Sequence, residues 1–180
     1  MAEDHLVIPD IAGSGLNRPV LQSVYDYWTK KRGGRFAPSR SDIKPEEIKP
    51  LLPHIVILDV VGDLPRFRYR LVGTSFAVEY GAEITGKFVD EIDLSDQRAA
   101  ILADYALVVS MRAPSFSRWT YTKADGRHID YSRVLLPLSA DGCVVNMLFG
   151  GFTATGLGAY SVVDHPPSLG AKRLALRQAS

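Results

Sequence analysis

Cysteine is nearly absent: Cys143 is the single thiol in 180 residues. One thiol excludes an intramolecular disulfide framework, and a chain of this length can build a core without covalent staples. A reducing cytoplasm is therefore the expected compartment. Long apolar runs are also missing. No stretch reaches the roughly 18 apolar residues of a membrane span, and the acidic start MAEDHLVIPD has the wrong chemistry for a secretory signal. Neither membrane insertion nor export is expected. Net charge is close to nil, with 21 Lys plus Arg against 20 Asp plus Glu, a formal +1. This balance gives no overall field to attract nucleic acid, so any electrostatic function must be local. What is present, 46% hydrophobic and 23% charged residues, is the composition of a folded domain with one core.

Residues 1–16 are broken by Pro9, Gly13 and Gly15 and read as a flexible arm. From Asn17, a candidate cap, the apolar residues Leu21, Val24, Tyr25 and Trp28 recur at helical spacing up to Gly33, and Lys30, Lys31 and Arg32 complement the carbonyl end of that helix. A loop and a proline-confined helical piece follow, and then the period switches to two. Residues 54–61 and 66–73 read as a hairpin joined by GDLP, with Arg66, Arg68 and Arg70 on one face and Phe67, Tyr69 and Leu71 on the other. Residues 74–111 turn helical again. Their longer helix, capped by Ser95 or Asp96, has an expected core stripe of Leu102, Tyr105, Ala106 and Val109. APSFSRWTYT, RHIDYSRVLLPL and CVVNMLFGGF, joined by the turn sequences ADG and SADG, then predict a three-stranded meander. A glycine- and proline-rich tail, 153–180, completes the chain. The expected fold is α+β: a five-stranded antiparallel sheet with helices on one face and an additional N-terminal helix, the domain spanning 17–152. Such an arrangement leaves a space between sheet and helices that a small molecule could occupy.

The stretches YWTKKRGGRFAPSRSDIKPEEIKPLLPHIVILDV, RFRYRLVGT, YGAEITGKFVDEI and VLLPLSADG resemble small single-domain PAS-like proteins common in alphaproteobacteria, from about Tyr27 to Phe152. The resemblance implies the PAS sensory fold and a bacterial sensory role.

PAS folds hold haem, flavin, other small molecules or nothing, and the residues discriminate among these. Haem is disfavoured because the long helix carries no histidine, and His5, His54, His128 and His165 lie in arms or at strand ends. A covalent flavin adduct is disfavoured because Cys143 is expected to open a strand, not to sit in a helical context. His128 and Asp130 are too few for a metal site. No G-x-S-x-G elbow is present, and GGFTATGLG lacks nucleotide-loop spacing. An enzyme is not expected.

Two groups of candidate binding residues remain. Phe76, Tyr80, Phe88, Trp119, Tyr131, Arg133 and Met147 are the large or polar residues expected to face the chamber. Arg133, flanked by Val134, Leu135 and Leu136, must reach solvent, an acid or an anionic ligand, because an unpaired buried charge is costly. Arg35, Arg40, Arg66, Arg68 and Arg70 are candidates for an anion or partner surface. For Arg35 and Arg40, capping of carbonyls or pairing with Asp42 outweighs ligand binding, and for the strand arginines pairing with Asp or Glu is the competing use. Base stacking is disfavoured because Phe67 and Tyr69 face away from the arginines.

The expectation is thus a cytoplasmic sensor that binds an unidentified small organic molecule noncovalently and signals through another protein. It is expected to be a homodimer, with the N-terminal helix as the contact surface. A ligand-free adaptor and, less favoured, a small enzyme using the same cavity are the rivals.

Overall fold

A computed structural model describes residues 6–7, 19–92, 94, 97–122 and 128–155. In chain order it places β1 (Leu6–Val7), α1 (Pro19–Arg32), three short 3-10 helices between Arg40 and His54, β2 (Ile55–Val61), β3 (Arg66–Val72), α2 (Thr74–Tyr80), a 3-10 turn (Val89–Glu91), α3 (Arg98–Met111), β4 (Ser115–Thr122), β5 (His128–Leu138) and β6 (Met147–Thr155). The antiparallel sheet has the order β1-β4-β5-β6-β2-β3. Its five main strands are those the sequence predicts; β1 adds two residues, Leu6 and Val7, that had been expected in the arm. The expected caps Asn17, Ser95 and Asp96, the ADG turn and the tail from residue 156 lie outside the described residues.

Alternation along the strands gives the sheet two buried faces. Ile55, Ile57, Val134, Leu136 and Phe149 face α1, which lays Leu21, Val24 and Trp28 onto them. The Trp28 indole N–H also donates to the Pro137 carbonyl at 2.8 Å, fixing α1 to β5. On the other face Leu58, Phe67, Tyr69, Leu135, Leu148 and Phe152 meet α3. Full burial of each large apolar side chain contributes about 1.5–3 kcal/mol. The apolar stripe of α1 is thus consumed by its own sheet.

Two local expectations are corrected. The buried stripe of α3 is Ile101, Asp104, Tyr105 and Val108, one step round the helix from the expected one. And β6 begins at Met147, not Cys143, because the Asp141 carboxylate accepts the backbone N–H groups of Cys143 and Val144, each at 2.8 Å, and closes a turn there. These bonds hold the Asp141 pKa below the usual carboxylate range.

Two close contacts shape the hairpin side. Gly73 precedes α2 where a Cβ would lie 2.4 Å from the Pro53 carbonyl oxygen, so no larger residue fits. The outer edge of β3 is covered by its own chain: Arg68 bridges to Phe88, the Tyr69 N–H donates to the Lys87 carbonyl at 3.0 Å, and the Gly86 N–H donates to the Tyr69 carbonyl at 2.6 Å.

Candidate functional site

Arg133 stands in the middle of β5 and points to the α3 side, with its side chain only 5% exposed. A guanidinium there needs a counter-charge, and α3 supplies it: Arg133 Nη2 lies 2.5 Å from Asp104 Oδ2, and the Asp104 side chain is wholly buried. The carboxylate also accepts the Ser115 hydroxyl at 2.6 Å and the Ser117 hydroxyl at 3.1 Å, both from β4. Arg133 Nε donates to Ser117 Oγ at 3.3 Å and Nη1 to the Tyr105 hydroxyl at 3.4 Å. Its cation lies 4.9 Å from the Tyr105 ring centroid and 5.6 Å from that of Trp119. Burial opposes the charge, yet the surroundings, Tyr105 and Asp104 foremost, hold the Arg133 pKa above the ordinary arginine value. The cation is internally satisfied.

Aromatic rings fill the space around this pair. Trp119 stacks on Tyr131 at 6.2 Å, Tyr131 meets Phe152 at 5.4 Å, and Phe76 of α2 stands edge-on to Phe152 at 4.9 Å. Phe67 meets Tyr105 edge-on at 5.2 Å. The Tyr131 hydroxyl donates to Gln97 Oε1 at 3.3 Å. Burial pushes the Tyr69 hydroxyl well above its usual pKa, so no tyrosinate forms there at neutral pH.

Four of the seven chamber candidates, Phe76, Trp119, Tyr131 and Arg133, thus converge on one face. The Tyr80 side chain lies outside the described residues. Met147 and Phe88 do not join the four. Met147 packs with the cluster under α1, because it opens β6 opposite Leu138 of that cluster. Phe88 is placed by its bridge to Arg68 on the arginine side of β3, with its ring 3.9 Å from the Arg66 guanidinium. Sequence reasoning missed Asp104, Ser115, Ser117 and Gln97. The available signal was an aspartate at the i+3 position of the stripe 101, 104, 105, 108.

The basic candidates are occupied by the chain itself. Arg35 donates to the carbonyls of Lys31 and Arg32, at 2.7 and 3.1 Å, and pairs with Asp42 at 3.1 Å. Arg40 donates to the Ile43 carbonyl at 3.0 Å. Arg68 and Arg70 flank Asp59 at 2.9 and 2.6 Å, and Arg66 holds Asp90 at 2.9 Å and Glu91 at 3.2 Å. Burial alone would raise the Asp59 pKa, but hydrogen bonds from Arg70 and Arg68 outweigh it and depress the carboxyl. The guanidinium groups are half-exposed, those of Arg68 and Arg70 meeting a buried carboxylate in Asp59, and the pairs fix loops and strand faces.

Cys143 is exposed in the turn before β6. The His54 ring nitrogen Nδ1 lies 3.2 Å from the Phe152 carbonyl, and the side chains of His128 and Asp130 lie outside the described residues. Among the described residues no group of three His, Cys, Asp or Glu could hold a metal, and no helix is long and apolar enough to cross a membrane.

A family model described as PAS domain matches residues 16–153. No curated protein matches the chain. Among solved structures, the chain is similar to a LOV protein from Rhodobacter sphaeroides, at 14% identity over 65% of this chain and 71% of that one, TM-score 0.46. It is also similar to the PAS domain of an HTR-like protein from Haloarcula marismortui, at 18% identity over 61% and 89%, TM-score 0.40. A third is an RNA-binding light-oxygen-voltage receptor, at 14% identity over 64% and 35%, TM-score 0.40.

Proposed function

The chain belongs to the PAS domain family, and from that premise we propose that it is a cytoplasmic signalling module that works through contact with other proteins, its interior filled by its own side chains. One observation carries this reading: the chamber's cation, Arg133, is already neutralised by Asp104 and boxed in by Tyr105 and Trp119. An anionic small molecule would have to displace a buried carboxylate that accepts two hydroxyls as well. A fold with a satisfied interior conveys information through its surface, by which partner it meets and in what state. The same closure weighs against the small-enzyme reading, because the polar network is sealed from solvent and its two serines are spent as donors to Asp104. The paired arginines of β3 and their rearward Phe67 and Tyr69 offer no stacking platform for bases, so proteins are the proposed partners.

A second reading, a noncovalent small-molecule sensor, is favoured by the convergence of Phe76, Trp119, Tyr131 and Arg133 around a hydrogen-bonding Gln97. Native mass spectrometry of freshly purified protein, with an absorbance spectrum of the same sample, separates the two. A folded chain with no added mass supports the filled interior. A stoichiometric extra mass overturns it and makes the protein a ligand sensor.

A further inference from the structure

A helix on a protein surface normally turns charged residues outward. In α3 the run Ala99–Met111 carries one charged residue, Asp104, and it points inward. Facing out are Ala99, Ala103, Ser110 and Met111, with Leu102, Ala106 and Val109 half-buried. Beside this face the β2–β3 hairpin projects Leu64, 88% exposed and the most exposed of the large apolar side chains described. Between the two lies a groove of about 440 Å³, floored by Leu102, Ala103 and Ala106 and rimmed by Leu64, Pro65, Arg66 and Asp90.

We propose that this face is the surface through which the protein binds a second copy of itself, Leu64 of each copy entering the groove of the other. The inference deepens the proposed function, resting on its premise of action by protein contact, and it replaces α1, whose apolar stripe is already buried. A two-fold interface uses one patch twice, so the patch must hold both a protrusion and a recess to receive it. Here Leu64 and the groove are adjacent. Charge fits the same occupant. Beyond Arg98 in its first turn the outer face of α3 carries none, and the rim offers Arg66 together with Asp90 and Glu91, both signs and half-exposed. Such a rim meets its own copy without like-charge repulsion, whereas a foreign partner chosen by charge needs a patch of one sign.

Sedimentation velocity of the full chain across a concentration series tests this. The expected result is a dimer that Leu64→Asp and Ala103→Arg each weaken about thirtyfold or more, with the circular-dichroism spectrum unchanged because both positions are exposed. Val144→Asp, at an exposed apolar residue outside the groove lining, leaves the dimer intact. A monomeric wild type overturns the proposal, whether the face is then covered by another segment of the chain or by a different protein. So does a dimer that resists both groove substitutions, or one that Val144→Asp breaks equally. An added small-molecule mass on an intact dimer would overturn the filled interior alone; an unliganded monomer would overturn the dimer face alone.

Discussion

Replacing Asp104 by alanine leaves the Arg133 guanidinium buried with no carboxylate beside it. The two side chains are 0% and 5% exposed, so water cannot substitute. Removing one partner of a buried pair costs about 3–5 kcal/mol, and the hydroxyls of Ser115 and Ser117, both buried, lose their acceptor as well. The upper part of that range is therefore expected. It is comparable with the whole stability of many domains, about 5–15 kcal/mol. With an m-value of about 2 kcal/mol/M, the urea midpoint falls by about 2–2.5 M. Asp104→Leu combined with Arg133→Met removes both charges together, and recovers most of the loss, since an apolar replacement of a buried pair is often neutral or better. Equilibrium urea unfolding followed by tryptophan fluorescence reads both. A midpoint shift under about 0.5 M for Asp104→Ala, or a double variant as unstable as the single one, would refute the argument that a compensated charge lies at the centre of the chamber.

Gly73→Ala forces a Cβ onto the Pro53 and Leu52 carbonyls, at 2.4 and 2.6 Å, and is expected to cost at least the 1–3 kcal/mol typical of overpacking, read as a lower melting temperature; an unchanged melt would mean that the 3-10 segment moves freely. Cys143 should react stoichiometrically with a thiol reagent in the folded protein, because it is exposed; modification only after denaturation would place it elsewhere. Asp42, Asp59, Asp90 and Asp141 all have carboxyl pKa values depressed below 3.8. A depressed carboxyl stabilises the fold fully above its unfolded pKa and loses that contribution as pH falls through the folded one. Their share of the urea midpoint is therefore flat from pH 7 to about 5 and declines below about 4; a decline already complete at pH 5 would contradict the depressed values.

Regular elements were legible wherever periodicity was strong. The helix around Leu21, Val24 and Trp28 and the hairpin of residues 55–72 fall within a few residues of the expected bounds, because a 3.6 or 2 period records which side meets the core. The ends were less legible. Where β6 begins depends on the Asp141 side chain closing a turn, which hydropathy does not record, and Met147 lies on the α1 face because it pairs opposite Leu138, a contact across strands. Phe88 was misplaced because its orientation comes from pairing with Arg68, a contact across the chain. Arg133 was recognised as needing compensation, but its partner Asp104 was hidden by counting only apolar residues as stripe members. The loop arginines Arg35 and Arg40 were legible as carbonyl caps because their chemistry is satisfied within a few residues of themselves.

The short segment that covers the rim of β3 has a meaning beyond local order. A terminal strand with free amides and carbonyls invites another chain to add to it, and repetition of that step makes fibres. Gly86 and Lys87 take up the Tyr69 carbonyl and amide from within the same molecule, and Phe88 pairs with Arg68. A newcomer strand finds that margin already taken. Raising the protein's concentration therefore meets a strand whose middle is already paired, which works against one common route to insoluble polymer.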